Sequence, residues 1–178
     1  MCIRDSLYVD DLLYIGSSAE MLAEFKEAMF NEFETTDNGL MSFFLGIEVK
    51  QQQDEIFISQ KKYMKEILDK FKMSNCNPVN TPIATGMKLS REEIRDFVDS
   101  TLFKSLVGSL KYLTTTRSYI VYGVGLVSRY IETPKGSHWL AAKRILRHIK
   151  DTLNLGLFYT YGETAELVGY SDLSLIHI

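Results

Sequence analysis

Two adjacent aspartates, Asp10 and Asp11, lie inside an otherwise apolar run, "LYVDDLLYIG", which extends from Leu7 to Gly16. Aspartate is depleted in strands, and an unpaired buried carboxylate is energetically costly. Apolar residues flank the pair on both sides, and this pattern predicts a strand, a tight turn at the aspartates and a second strand. Such a hairpin exposes both carboxylates at its end.

Adjacent carboxylates on a strand turn are suited to binding a divalent cation. Mg²⁺ prefers one or two carboxylates together with substrate phosphates. Two such ions, about 3.5–4 Å apart, clamp the attacking and leaving oxygens of a phosphoryl displacement. An ordinary Asp-Asp turn is the alternative, because aspartate also favours turns. The aspartates alone leave both interpretations open.

The distribution of charge is uneven along the chain. The 178 residues carry a net charge of −3. Residues 101–150 contain nine Lys or Arg and one acid, a net charge of +8, so the rest of the chain carries −11. Such asymmetry predicts that the basic segment meets a polyanion. The alternative is a solvated basic face on an ordinary helical unit.

Composition excludes several classes of protein. Hydrophobic residues make up 46% of the chain and aromatic residues 12%, which supports a packed core and argues against global disorder. No apolar run approaches the length of a transmembrane helix, and we expect no signal peptide and no membrane partner. The two cysteines, Cys2 and Cys76, show no partner pattern. We therefore expect an intracellular, reducing context without a zinc site.

The apolar spacing in the first third of the chain predicts one helix and a second hairpin. Ser17 and Glu20 have capping-box spacing, which predicts an amphipathic helix over residues 18–34. Strands are predicted over residues 42–49 and 55–60, and Gly46 indicates a bulge or a close backbone approach. Glu48 is interpreted as a surface strand carboxylate, with a functional role as the alternative.

The rest of the chain is predicted to be mainly helical. A linker over residues 75–100 separates one predicted helix from three more, and a third hairpin follows residue 151. The predicted helices cover residues 61–72, 101–113, 118–131 and 137–150. In the second of these, the predicted inward face is Leu102, Phe103, Leu106, Leu110 and Leu113.

The last predicted helix combines a basic face with an apolar stripe of Trp139, Ala142, Ile145, Leu146 and Ile149. Trp139 lies on the apolar stripe, so core packing is favoured over stacking on nucleic acid. His138 and His148 do not have metal-ligand spacing, and we interpret them as surface or phosphate-adjacent residues. The basic face comprises Lys143, Arg144, Arg147 and Lys150.

A longer set of motifs favours the metal-binding interpretation of the two aspartates. "YVDD" between apolar strands resembles the signature of reverse transcriptases. Downstream blocks resemble, in order, the Ty1/copia type of retrotransposon reverse transcriptase, from about Leu7 to Asp172. They include "FFLGIEV", "NPVNTPI", "FKSLVGSLKYLTTTR", "GLVSRYIETPKGSHWLAAKRILRHIKDT" and "LVGYSD".

The resemblance implies an α+β fold with a defined division into segments. A partial palm of antiparallel strands with a helix is expected first, followed by a mainly helical thumb and a short terminal β-hairpin that leads into a truncated RNase H domain. The two ends of the chain do not resemble the family, and we expect them to be non-native. The expected bounds are 7–60 for the palm, 61–150 for the thumb, 151–172 for the hairpin, and 1–6 and 173–178 for the ends.

The resemblance also implies roles for individual residues. Asp10 and Asp11 correspond to catalytic metal ligands for two Mg²⁺ ions, with Mn²⁺ as an alternative. Tyr8 and Val9 are expected near the primer end and the incoming nucleotide. Asp172 corresponds to the first RNase H carboxylate, although no RNase H activity is expected because its partner carboxylates have no counterpart. The "FFLGIEV" hairpin, Phe43 to Val49, resembles the primer grip, which holds the primer 3′ end against the metals, and Phe44, Leu45 and Gly46 are its implied binding residues.

The basic helix face agrees with the thumb assignment, because a thumb lies on the template–primer duplex. Lys143, Arg144, Arg147 and Lys150 are therefore expected to contact the nucleic-acid backbone. Such contacts give affinity that does not depend on sequence and that falls with salt. The expected partners are an RNA/DNA template–primer duplex and a deoxynucleoside triphosphate.

The implied activity is RNA-directed DNA synthesis by two-metal nucleotidyl transfer in a full-length parent. The third catalytic aspartate of the family and its fingers precede the "YVDD" motif and have no counterpart here, so this chain alone is expected to be inactive. The alternative is a non-catalytic nucleic-acid-binding remnant that uses the basic helices, and a third hypothesis is a decayed fragment that does not fold. The parent is expected in a cytoplasmic virus-like particle or in the nucleus.

Overall fold

A computed structural model describes residues 4–8, 11–53, 55–91 and 98–160, with residues 4–8 and 11 described by their backbone alone. The chain divides into two compact units, Met1–Leu45 and Gly46–Ile178. Helices and antiparallel strands alternate irregularly along the described residues. The predicted α+β class is confirmed.

The first unit contains a two-stranded hairpin and one helix. Strand β1 (Arg4–Tyr8) pairs antiparallel with β2 (Asp11–Ile15), and Tyr8 lies opposite Asp11. This confirms the predicted hairpin, but the turn predicted at both aspartates was wrong at Asp11, which is the first residue of β2, and β1 begins three residues earlier than predicted. Val9 and Asp10, which join the strands, lie outside the described residues.

Helix α1 (Ala19–Glu32) follows this hairpin. Its N-cap is Ser18, whose backbone is extended and whose Oγ accepts a hydrogen bond from the Met21 N–H at 3.4 Å. The predicted cap at Ser17 was therefore wrong by one residue, because a capping side chain must reach the N–H two or three residues ahead of it. One face of α1 is half-buried, with the Phe25 ring 5.2 Å from that of Tyr14.

The second sheet is built from strands that are far apart in sequence. Strand β3 (Phe43–Phe44) precedes a two-residue turn, after which β4 (Ile47–Gln51), β5 (Glu55–Ser59) and β6 (Leu157–Thr160) are antiparallel neighbours in that order. The pairing of β4 with β5 confirms the predicted hairpin, but the single strand predicted over residues 42–49 was wrong, because a turn at Leu45 and Gly46 divides it into β3 and β4. Strand β6 is the first half of the predicted terminal hairpin, whose second half, with Asp172, lies outside the described residues.

Four helices complete the second unit: α2 (Lys61–Lys70), α3 (Ser100–Leu113), α4 (Val121–Ser128) and α5 (Gly136–Asp151). The helix predicted over 118–131 is shorter, because a 3₁₀ turn precedes α4 and the chain leaves the helix after Ser128. Residues 92–97 of the linker lie outside the described residues.

The core of the second unit lies where these helices meet. Met64, Phe103, Leu106, Ile145 and Leu146 are fully buried within it. The predicted inward face of α3 was wrong at Leu102, which is 43% exposed. The buried set on α3 includes Val107 and follows i, i+3, i+4 and i+7 spacing from Phe103, which leaves Leu102 outside the apolar stripe.

Candidate nucleic-acid interface

The two aspartates lie where a hairpin of the first unit closes. Because Tyr8 pairs with Asp11, two residues join the strands, and Asp10 is one of them. Two carboxylates are a suitable donor set for Mg²⁺, with water and phosphate oxygens as the remaining ligands. Within the described residues, no group of three His, Cys, Asp or Glu side chains is arranged to hold a metal ion.

The predicted primer-grip turn has a strained backbone. Leu45 and Gly46 both have positive φ, 49° and 80°. Positive φ at both central residues is typical of a type I′ two-residue turn, and it is readily adopted by glycine and rarely by leucine. Phe44, just before the turn, is half-buried, and Leu45 is exposed. The turn thus presents the Leu45 side chain to solvent.

Glu48, on β4, has a defined partner. Its Oε1 accepts a hydrogen bond of 2.6 Å from the main-chain N–H of Lys62, in the first turn of α2. Glu48 is half-buried on its strand, and its carboxylate satisfies an N–H group that has no partner within the helix.

The basic face of α5 lies against the linker. We call residues 76–90 the linker strap. The Lys150 Nζ donates to the carbonyl of Cys76 at 2.7 Å, and the Arg147 Nε donates to the carbonyl of Asn77 at 2.7 Å. The Arg144 Nη2 donates to the hydroxyl of Thr81 at 2.9 Å. Three of the four predicted phosphate contacts therefore hold the protein's own backbone or side chains.

Lys143 differs from the other three basic residues. Its Nζ lies 5.2 Å from the centre of the Trp139 ring, which is a cation–π distance. Trp139 is half-buried and its ring contacts Phe71 and Phe103, at 6.4 and 6.5 Å between centroids. The predicted core packing of Trp139 is confirmed, and Lys143 keeps its amine at the protein surface.

Both histidines of α5 are buried, so their interpretation as surface residues was wrong. The His138 Nδ1 accepts the N–H of Lys135 at 2.9 Å, so the proton of the neutral ring is on Nε2, which lies 3.1 Å from the carbonyl of Ser90. The His148 Nδ1 lies 3.1 Å from the carbonyl of Val79. Each ring holds one end of the linker strap.

A tyrosine between α2 and α3 has a shifted acidity. Burial raises the pKa of Tyr63 above its ordinary value, and a hydrogen bond with Ser109 opposes this in part. The ring packs edge-on against Tyr112, with 4.9 Å between centroids. The α2–α3 contact thus holds Tyr63 in its neutral form over a wider pH range.

Comparison with known proteins identifies the family. Residues 3–85 match the family model described as "Reverse transcriptase (RNA-dependent DNA polymerase)". The chain is 36% identical over 166 residues to the retrovirus-related Pol polyprotein from transposon RE2 of Arabidopsis thaliana, a match that covers 93% of this chain and 11% of the polyprotein. An uncharacterised mitochondrial protein of the same plant is also 36% identical, over 93% of this chain and 69% of its own length. The chain belongs to the reverse transcriptase family.

The reverse transcriptase resemblance predicted from the motifs, including its Ty1/copia type, is confirmed. The Pol polyprotein from transposon TNT 1-94 of Nicotiana tabacum is 34% identical over 95% of this chain and 13% of the polyprotein. The chain spans about a tenth of the length of the transposon polyproteins it matches, at 11% and 13%. No solved structure matches it. None of the described helices of this reverse transcriptase segment combines the length and apolarity needed to cross a bilayer.

Arg117 has a structural role in this reverse transcriptase segment that the sequence did not predict. Its side chain is 1% exposed. The Nη2 donates to the carbonyls of Thr152 and Leu155, at 2.7 and 3.0 Å, and the Nη1 donates to the Thr152 hydroxyl at 3.0 Å and to the Tyr119 hydroxyl. Arg117 thus satisfies carbonyls where α5 ends, a region of partial negative charge. Nothing in "TTTRS" distinguishes a buried arginine from an exposed one.

A second missed residue is Gln60, which is fully buried at the start of α2. Its Oε1 accepts a hydrogen bond from the Thr116 hydroxyl at 2.8 Å. Its Nε2 lies 3.5 Å from the carbonyl of Tyr112, near the end of α3. Nothing in the sequence indicated that this polar residue, between a strand and a helix, is buried.

Proposed function

We propose that this chain supplies the C-terminal palm and the thumb of an RNA-directed DNA polymerase, with palm residues in 7–60 and thumb residues in 61–150. The observation that carries the proposal is the β1–β2 register, because it brings Asp11 to the end of a hairpin beside Asp10 within the segment that matches the family model. The substrates are a template–primer duplex and a deoxynucleoside triphosphate.

Asp10 and Asp11 are the residues that would hold divalent metal. When bound, Mg²⁺ or Mn²⁺ ions stabilise the attacking and leaving oxygens of an in-line phosphoryl displacement. The pairing of β1 with β2 fixes the backbone of Asp11, so metal binding by this residue requires little reorganisation of its main chain. Tyr8 and Val9, next to the aspartates, are proposed to face the primer end and the nucleotide.

The turn at Leu45 and Gly46 is proposed to hold the primer. Positive φ at both residues turns the chain sharply, and the main-chain groups of the turn that are not packed against Tyr112 are proposed to contact the primer strand. Phe44 anchors the turn from its half-buried position. The turn can therefore support a primer terminus through backbone contacts that do not depend on base sequence.

Duplex affinity is proposed to come from cationic side chains on the thumb. Lys143 is the α5 residue whose amine is not used to hold the linker strap. Arg144, Arg147 and Lys150 hold the strap with one donor each, and a guanidinium group has five donors, so phosphate remains a proposed second partner for both arginines. Lys62, Lys65, Lys104 and Lys111 are also exposed on α2 and α3.

The first experiment measures the affinity of the 178-residue chain for an RNA/DNA hybrid as a function of salt. We expect log K to fall linearly with log salt, and Lys143→Gln to reduce the slope by about 0.9 for one lost phosphate contact. Lys50→Gln, on the exposed surface of β4, is the matched control. An unchanged slope in Lys143→Gln would contradict the assignment of the α5 face.

Primer extension with Mg²⁺ separates the polymerase from a non-catalytic nucleic-acid-binding remnant. We expect no extension by this chain on its own, and extension when an aspartate-bearing palm and fingers from a relative are joined ahead of it. Asp10→Asn should abolish that extension while leaving hybrid binding unchanged. A joined enzyme that extends equally well with Asp10→Asn contradicts the metal assignment.

The parent element is proposed to act inside the cell, in a cytoplasmic virus-like particle or in the nucleus. The proposal follows from the Pol polyproteins that this chain matches, which derive from transposons. Asp172, the proposed RNase H carboxylate, has no proposed activity in this chain.

A further inference from the structure

We propose that Glu48 is a positioning residue that fixes the primer-grip turn relative to α2 and α3 without itself touching nucleic acid. This inference rests on the proposed function, because the turn and the helices receive their roles there. It is supported by one hydrogen bond and one packing contact, which join β4 and the turn to both helices.

The hydrogen bond supplies a cap that α2 lacks. The N-cap residue Gln60 makes no side-chain cap hydrogen bond, and the first turn of α2 contains no acidic residue. Glu48 lies opposite Ser59 in the β4–β5 pairing, next to the start of the helix. Its carboxylate can therefore accept the Lys62 N–H, at 2.6 Å, where an anion is favoured by the helix dipole.

The packing contact joins the turn to α3. A Cβ built on Gly46 would lie 3.6 Å from the ring and the hydroxyl of Tyr112, so the Gly46 backbone lies directly against this side chain. The Tyr112 ring packs edge-on against Tyr63 of α2. Two residues of one strand and turn, Gly46 and Glu48, thus contact the two helices separately.

These contacts make the turn and the helices move together. If the helices lie on the duplex and the turn meets the primer terminus, Glu48 sets the distance between the two contact points. Loss of its carboxylate frees β4 from α2 while leaving the cationic surface of the helices unchanged. The chain should then lose its preference for a recessed primer end and keep its affinity for duplex.

The test compares the full 178-residue chain with Glu48→Ala, Glu48→Gln and a matched control, Glu55→Ala. Glu55 is half-buried on the neighbouring strand, and within the described residues its side chain makes no hydrogen bond or ion pair. Fluorescence anisotropy measures binding to two RNA/DNA hybrids, one blunt and one with a recessed DNA 3′ end. Hydrogen exchange measures protection of the Lys62 and Gly46 amides.

We expect the wild-type chain to prefer the recessed end, and Glu48→Ala to reduce this preference severalfold with unchanged affinity for the blunt hybrid. Glu48→Gln should restore the preference, because an amide oxygen still accepts the Lys62 N–H. Glu48→Ala should also increase amide exchange at Lys62 and Gly46. Glu55→Ala should behave as the wild type in all three measurements.

Two outcomes overturn the positioning role. One is wild-type preference in Glu48→Ala, and the other is an equal loss of affinity for both hybrids, which indicates general destabilisation. If the wild-type chain binds neither hybrid, that result contradicts the proposed function instead. In that case unchanged exchange at Lys62 and Gly46 in Glu48→Ala overturns the link between β4 and the helices on its own.

Discussion

Arg147 donates from Nε to the main-chain carbonyl of Asn77, 2.7 Å away and 70 residues earlier in the chain. A cation predicted to meet phosphate therefore holds the linker strap against α5. The same arrangement recurs at Lys150 with Cys76, so the contacts form a series along the helix. The charge of α5 contributes to the fold of the second unit as well as to its surface.

The strap contacts predict that Arg147→Gln destabilises the linker locally. A hydrogen bond from a charged donor contributes more than a neutral one, and we expect a loss of about 1–2 kcal/mol in the free energy of unfolding. Limited proteolysis should cut within residues 76–90 before other sites. Arg129→Gln, at an exposed arginine, should change neither quantity. If the strap is cleaved in Arg147→Gln as in the wild type, the contact does not contribute to its stability.

The buried guanidinium of Arg117 predicts a larger effect. Replacement by methionine removes the guanidinium donor from the Thr152 and Leu155 carbonyls, although the Thr152 carbonyl keeps the Leu155 N–H, and we expect a loss of about 3 kcal/mol. Arg117→Lys should recover only part of this, because an ammonium group cannot span the same acceptors. Urea denaturation followed by circular dichroism measures both. A methionine variant as stable as wild type contradicts the capping role.

Two glycines of α4 offer a matched pair. A Cβ at Gly123 would lie 3.1 Å from the Ile83 side chain, whereas a Cβ at Gly125 meets nothing within 4 Å. Gly125→Ala should stabilise the helix by about 0.5–1 kcal/mol, the usual propensity difference. Gly123→Ala should lose that gain and be the less stable of the two, because Ile83 of the linker strap must move. Equal melting temperatures would disprove the close packing.

The shifted acidity of Tyr63 predicts a specific change in the alkaline titration. Burial raises the pKa of Tyr63 above the ordinary value of 10.0. Between the unfolded and folded values the folded state binds more protons, so this contribution to stability is complete below about pH 10 and is lost as pH rises through the folded pKa. The difference in tyrosinate absorbance between wild type and Tyr63→Phe should appear at a higher pH than the titration of free tyrosine. A difference curve centred at the ordinary value contradicts the burial.

Much of the fold follows from local patterns. The run around Asp10 and Asp11 predicted a hairpin because apolar strands flank a polar pair, and the β1–β2 pairing confirms it. The apolar stripe of α5 predicted the buried Ile145 and Leu146, because a 3.6-residue period constrains which side chains share a face. Family membership followed from ordered motifs rather than from any one of them.

The partners of polar side chains could not be predicted in the same way. Arg147, Glu48 and Arg117 satisfy main-chain groups that lie far away in sequence, and the chain gives no pattern that pairs them. Their partners are main-chain carbonyls and N–H groups, which every non-proline residue carries. Charge periodicity located the basic face of α5 but could not show that the linker strap covers part of it.

The linker strap runs antiparallel to α5, from Cys76 beside Lys150 to Ser90 beside His138. Most of the strap atoms that α5 side chains contact are main-chain carbonyl oxygens, which a substitution does not remove. The strap should therefore tolerate mutation better than the helix α5. We expect substitutions of strap residues that contribute only their carbonyls to have little effect on stability. Substitutions of the α5 residues that donate to these carbonyls should destabilise the protein. A saturation library of both segments would measure the difference in tolerance between them.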